Sequence, residues 1–567
     1  MKKLTETRVW VPLLIAVAVA CGFGLGNLLN RSTGQTASEK KLGTILNLIR
    51  NDYVDAVDID SLMEATMPAL LQGLDPHSQY IPARDLQGVD EELDGAFSGV
   101  GISFMMNNDT IMVVETIAGG PSEKVGIQAG DRIVTIDGED VTNLGLTAEK
   151  VRSMLKGVHG TRVKLGIKRS NSKKILEFDV TRDEVPVSSI DAAYMVTDSI
   201  GYVKVNKFVR STYDEFFSAL ADLQQFGATG YIIDLRGNTG GWMEMAILMA
   251  NEFLEPGLPI VGTRYRNSRE DRYVLSDRTG SFHDAGLVVL LDEYSASSSE
   301  IFAGAIQDND RGLVIGRRSF GKGLIQRRSV LPDSSAMLLT IGRYYTPSGR
   351  CIQKDYSNQT QYRNDLLDRF NHGEAFSADS IKLNTDQEYS TVHGRTVYGG
   401  GGIMPDIFVP SDTAGVTGYY INVVNAGMLQ KFAIDFADSN REKLGEANDV
   451  DQLLALLPSD SDLLSRFVNY CTRNGIPARW YYINISRNLI VNQLKALIAR
   501  DILGYGALHQ ILNQSDITVL RAVKELEEGN AAYPILPREE KSKPKPEAPS
   551  SQDNSLNEGG QYSDTKD

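Results

Sequence analysis

Between residues 38 and 93, apolar side chains recur three and four positions apart, as in KLGTILNLIRNDYV and SLMEATMPALLQGL. That period predicts amphipathic helices, and DPHSQYI breaks it. From 96 to 183 the texture shortens. GVGISFMM, DTIMVVETI, DRIVTIDG and RVKLGIKRS read as strands separated by glycine-bearing turns. LTAEKVRSMLKG reads as a single helix with Ala148, Val151 and Leu155 on its apolar face. Between 199 and 345, the almost wholly apolar runs TGYIIDL, LVVLLDE and GLVIG alternate with the helical stretches WMEMAILMANEFL and EIFAGAIQ. A strand apolar at every position is buried on both faces, so this region predicts a parallel sheet covered by helices.

Residues 354–398 are polar without a strong period and read as an insertion, after which GGGGIMPDIFVP (399–410) returns to strand. Residues 418–530 are mostly helical, and from 537 the composition buries too little apolar surface to fold. The resulting division is a membrane or signal segment with linker (1–37), an N-terminal helical region (38–95) and a strand-rich module (96–183). An α/β core (184–415) carrying the insertion follows, then a C-terminal helical domain (416–536) and a disordered tail (537–567).

A net charge of -15 over 567 residues excludes a general nucleic-acid binder, since no basic excess is available to neutralise phosphates. Trp10–Leu29 is a 20-residue stretch without charge, preceded by Lys2, Lys3 and Arg8. It is long enough to span a bilayer, and the basic residues keep the N-terminus cytoplasmic. The expectation is an inner-membrane anchor at 10–29 with the body on the extracytoplasmic, periplasmic side. A cleaved signal peptide is the rival reading. Lipid attachment at Cys21 is disfavoured by the absence of leucine three residues before it. Cys351 and Cys471 could pair after export, although two buried thiols are expected. The six histidines show no metal-ligand spacing, so no metal is expected.

Chemistry could sit in three places. LVVLLDEYSASSSEIFAGAIQ is a strand-to-helix junction crowded with serine. Ser297 and Glu300 have the S-x-x-E spacing of a capping box, yet such a junction is also where hydrolases expose a nucleophile. Lys322 lies between two glycines in FGKG. In water it would be a surface cation, whereas surrounded by apolar groups it could act as a neutral amine. DLRGNTGG (234–241) is a glycine-rich loop after a buried strand, suited to a plain turn or to presenting N–H groups to an oxyanion.

Together the three resemble the core signature of the carboxyl-terminal processing peptidases, or tail-specific proteases. In that family a serine in an S-A-S-x-S-E run precedes the lysine of F-G-K-G by 25 residues, with a glutamine four further on. Here the corresponding residues are Ser297, Lys322 and Gln326. DLRGNTGG matches the family's D-L-R-x-N-x-G-G, YYTPSGR and GGIMPDI match its later segments, and the resemblance spans roughly 40–410. It implies a crotonase-like α/β protease core without cofactor. Ser297 would be the nucleophile, Lys322 the base and Gln326 its orienter. Oxyanion donors would be the N–H groups of Ser298 and of Gly240 or Gly241. GVGISF with GGPSEKVGIQAGDRIVTIDGEDV resembles an inserted PDZ module. Gly99, Val100, Gly101 and Ile102 would grip a terminal carboxylate, and Ala148, Val151 and Leu155 would line the groove. Arg169 would tie the module to the core or be solvated. The implied partners are the C-terminal tails of exported proteins, and homo-oligomerisation is left open. The rivals are an inactive PDZ scaffold and an acyl-CoA enzyme on the same core fold.

Overall fold

The structure is a computed structural model that describes residues 36–535 apart from 108, 118, 170, 171 and 173. The expected membrane segment, Cys21 and the tail from 537 lie outside the described residues. The chain divides into two compact units. One comprises residues up to Gly88 together with Gln326–Thr340, and the other comprises Val89–Ile325 together with residues from Ile341 onward.

The smaller unit contains the helices foreseen near the N-terminus, Ala37–Asp52 and Ile59–Gln72. Thr36 and Glu39 close a capping box on the first, and Asp58 caps the second. DPHSQYI breaks the pattern because it turns into a strand, Gln79–Ile81, antiparallel to Ala336–Leu338. The Asp75 carboxylate fixes that corner by accepting from the N–H groups of His77 and Ser78 and from the hydroxyls of Ser78 and Thr340.

The larger unit is built on a six-stranded sheet: β1 (Ile190–Met195), β2 (Ile200–Val205), β3 (Gly230–Asp234), β4 (Gly286–Leu291), β5 (Leu313–Gly316) and β6 (Ile407–Phe408), side by side in that order. β1 runs antiparallel to β2 and the rest are parallel. Val203, Ile233, Val289 and Val314 face one layer, among Phe216, Leu220, Phe253 and Phe302. Their neighbours Tyr202, Ile232, Val288 and Ile315 face the other, with Val519 and Ala522. Burial on both faces is why these strands read as unbroken apolar runs. Helices α1 (Thr212–Gln225), α2 (Met243–Asn251) and α3 (Ser298–Asp308) make the first layer, and α4 (Ile517–Glu527) covers the second. The last helix of the stretch read as a C-terminal domain thus packs on the core sheet. The helices before it bury their own cluster around Phe432, Phe467, Ile490 and Leu494. The glycines of GGGGIMPDIFVP form loop, and only Ile407–Phe408 pairs as strand.

The inserted module is a sheet of Ile102–Asn107, Thr110–Thr116, Arg132–Ile136, Arg162–Lys168 and Leu176–Thr181, with the helix Ala148–Leu155. Ala96–Gly99 pairs with Asp183–Pro186, bringing the module's entry and exit together. Val100, Val151 and Leu155 are 2%, 0% and 4% exposed and belong to the module's own core, so of the helix face only Ala148 stays partly open. Gly99 and Ile102 are buried beside them. Gly101 has φ +73°, and a Cβ there would meet Pro121 at 2.9 Å. Arg169 is neither solvated nor a tie to the core. Its guanidinium grips Asp131 through Nε (2.8 Å) and Nη2 (2.7 Å), both inside the module. Cys351 and Cys471 are free thiols, half-buried and buried.

Candidate active site

Ser297 stands between β4 and α3 with φ 56° and ψ -114°, a conformation that costs energy in any residue with a Cβ. A sharp strand-to-helix turn of this kind lifts one side chain out of the chain path beside the helix N-terminus. Ser297 is half-buried, whereas Ser295, Ser298 and Ser299 are buried and engaged. Their hydroxyls donate to the carbonyls of Leu235, Gly241 and Asn238 respectively, each at 2.9 Å. The N–H of Ala296 also reaches Asn238 O at 3.0 Å. The serine cluster therefore staples the DLRGNTGG loop to the turn and leaves Ser297 as its distinct member.

The loop comes close enough to require glycine. A Cβ on Gly240 would lie 2.7 Å from Ser297 Cβ and 3.0 Å from Ser298 N, at φ +102°. The N–H of Gly240 donates to Asn238 Oδ1 (2.9 Å). Gly241, at φ +146°, sits against Phe208, where a Cβ would strike Phe208 O. At the head of the loop Asp234 is fully buried. Burial alone would raise its pKa, but Arg236 and Lys204 outweigh that and hold it well below the usual carboxylate range. The bidentate Arg236 pair locks where β3 ends.

Glu300 does more than cap. Its buried carboxylate accepts from the N–H of Ser297 and the N–H of Lys322 at Oε2, 2.9 Å each. At Oε1 it accepts from Ser319 Oγ (2.5 Å) and Gly321 N (2.7 Å). Burial pushes its pKa up to about 7, while the four donors oppose the rise. Across the site the buried Tyr344 hydroxyl faces the carbonyls of Ser297 (3.1 Å) and Lys322. Burial, and then the Glu300 charge, keep that phenol protonated. The backbones of Ser297 and Lys322 are thus held from both sides by the same two side chains. The Ser297–Glu300 capping box is present, and it leaves Ser297 only half-buried. Tyr344 lies in the YYTPSGR segment but carries no spacing signal of its own; only the folded chain brings it to the site.

The insertion has local order and braces the lysine loop. Its helix Gln359–Asn371 carries Arg369, which donates to the carbonyls of Ser319 and Arg318. Lys354 pairs with Asp365 and lies 3.8 Å from the Phe320 ring centroid. Gln326 belongs to the smaller unit, where its amide donates to His77 O at 2.5 Å.

A strained serine at a strand-to-helix elbow, seated against a glycine loop and sharing its supports with a lysine, is an arrangement that suits a serine-type peptidase. Residues 199–360 match peptidase family S41, 112–169 match the PDZ domain, and 419–504 match a family of unknown function. The chain is 36% identical over 318 residues to the carboxy-terminal-processing protease of Bartonella bacilliformis, covering 55% of this chain and 72% of that one. It is 30% identical over 357 residues to the carboxy-terminal processing protease CtpA of Bacillus subtilis, covering 62% and 75%. Among solved structures, the photosystem II D1 C-terminal processing protease aligns over 66% of this chain and 94% of its own, at 23% identity and a TM-score of 0.33. The chain belongs to peptidase family S41, and it combines that family's protease core with a PDZ domain and a helical C-terminal region.

Proposed function

We propose that this protein is a Ser/Lys-dyad endopeptidase that cleaves exported proteins near their C-termini. The observation that carries the reading is the shared Glu300 oxygen, which holds the N–H groups of Ser297 and Lys322 together beside the glycine loop. In the first half-reaction the neutral Lys322 amine takes the Ser297 Oγ proton as Oγ attacks the scissile carbonyl carbon. Charge collects on the carbonyl oxygen, and the resulting ammonium then gives its proton to the leaving amine. Water, deprotonated by the same amine, attacks the acyl-enzyme and releases the new C-terminus and Ser297. Gly241 and Ser298 supply the N–H groups for the oxyanion, because that of Gly240 is committed to Asn238. Gln326 keeps its role as orienter of the amine on the resemblance.

The PDZ domain captures the tail through the Gly99–Ile102 loop. Residues 10–29 anchor the chain in the inner membrane, with the protease body on the periplasmic side. Replacing Ser297 and Lys322 singly by alanine tests the dyad against peptide hydrolysis. Comparing envelope proteomes with and without Ser297, and reading new C-termini, tests the substrate class.

A further inference from the structure

In a protein of net charge -15, residues Leu463–Arg500 contain Arg466, Arg473, Arg479, Arg487, Lys495 and Arg500 and no aspartate or glutamate. Three of these cations are committed, Arg466 to Asp462, Lys495 to Asp460 and Arg500 to Asp501. Arg473, Arg479 and Arg487 are exposed, and none has a carboxylate partner among the described residues. Between two of them lies the short helix Trp480–Ile485, and its outward side chains are the reverse of a soluble surface. Trp480 is 50% exposed, Tyr481 75%, Tyr482 42% and Ile485 50%. Ile483 alone points inward, fully buried.

The neighbouring helix Gly418–Asn425 packs alongside and adds Ile421 and Val424, both more than two-fifths exposed. Ile421, Tyr482 and Arg479 line one open cleft, so the apolar and basic groups share a face. Thr417 and Ser486 hydroxyls meet at 2.8 Å and Ser486 reaches Gly415 O at 2.6 Å, which fixes the two helices as one surface. Residues 413–434 likewise contain no acid, and Asp412 is turned to its own loop, accepting from Ala414 N.

We infer that this face docks on an anionic phospholipid surface. Tryptophan and tyrosine have apolar rings with one polar atom and settle at the headgroup level, isoleucine reaches just below, and flanking arginines pair with lipid phosphates. A second copy fits poorly, because a two-fold contact would set the same uncommitted arginines against each other. The inference rests on the proposed membrane anchor at residues 10–29, which keeps a bilayer within reach. It gives the region matching a family of unknown function the task of orienting the protease at the membrane.

The test uses the full chain reconstituted into vesicles of phosphatidylcholine, with or without phosphatidylglycerol, whose acyl chains are plain or brominated. The difference in fluorescence between the native chain and W480F isolates Trp480. Docking predicts that brominated lipid quenches Trp480 in the anionic vesicles, that salt weakens the effect, and that quenching drops in neutral vesicles. Replacing Arg473, Arg479 and Arg487 by glutamine should lower the docked-to-free ratio about fivefold per arginine. Trp480 emission unchanged by brominated lipid overturns the inference. So does shielding of Trp480 from iodide that grows with protein concentration without brominated-lipid quenching, which would mean a protein contact. Alkaline carbonate extraction reads the anchor separately. A chain released from the vesicles refutes the anchor, and the quenching of Trp480 when that chain is added back to vesicles still decides the docking face.

Discussion

Ser297 and Lys322, 25 residues apart in sequence, have their N–H groups on the same Glu300 oxygen at 2.9 Å each. Glutamine has the shape of that carboxylate but must turn an NH₂ toward two of the four donors. Losing charge-assisted bonds there costs roughly 1.5–3 kcal/mol apiece. Glu300→Gln should lower kcat by at least about tenfold while circular dichroism shows a folded chain. Activity within about twofold of the native protein would show that the shared carboxylate has no part in aligning the pair.

The same carboxylate makes stability depend on pH. Its pKa is about 7 in the folded protein against the ordinary 4.5 of a glutamate, so the native state holds a proton that the unfolded chain has lost. The contribution is fully present below about 4.5 and is lost as pH rises through about 7. At about 1.4 kcal/mol per pKa unit, the difference in unfolding free energy between native protein and Glu300→Gln should shift by roughly 3 kcal/mol across that window. Denaturant melts at several pH values would measure it, and parallel curves for the two proteins would contradict it.

Ser297→Ala and Lys322→Ala should each abolish peptide hydrolysis and leave the melting temperature near the native value, since removing a nucleophile or base costs orders of magnitude. Ser295→Ala, Ser298→Ala and Ser299→Ala should behave differently. Each loses one hydroxyl bond to the glycine loop, worth about 1 kcal/mol, so stability drops modestly and activity persists. A dead Ser299→Ala with Ser297→Ala active would move the nucleophile.

Gly240→Ala should inactivate the enzyme although its N–H is committed elsewhere. The added Cβ would press on Ser297 Cβ at 2.7 Å from a backbone at φ +102° that alanine rarely adopts. Hydrolysis assayed with burst titration of the serine would check it. A full burst would show that the elbow tolerates the methyl group.

Amidating a substrate's C-terminus removes the charge that the Gly99–Ile102 loop is proposed to bind. It should cost about tenfold or more in cleavage below saturation. Val151 is unsuitable for blocking the groove because it is wholly buried in the module's core. Ala148→Asp, on the partly open face, should reduce cleavage of the free-tail peptide toward that of the amidated one. Equal cleavage of both peptides by the native enzyme would remove tail recognition.

The local order of these elements was legible in the sequence because it depends on period and spacing. Apolar runs at Gly230–Asp234 and Gly286–Leu291 announced strands buried on both faces. The interval from Ser297 to Lys322 marked the two candidate groups. Strand Ile190–Met195 was harder to see, and the strand read over 399–410 shrinks to Ile407–Phe408, since edge strands satisfy one side of their ladder and need little apolar patterning. What side chains do across the fold was not legible at all. Glu300 reads as a cap from Ser297 and becomes the support of Lys322 only when strand β5 returns beside β4 and delivers residues 319–322 to it. Tyr344, the binding of Arg169 to Asp131, and the burial of Val151 and Leu155 inside the module likewise depend on contacts between distant segments. Periodicity records which way a side chain faces within its own element. Only the packed tertiary structure decides which partner it meets there.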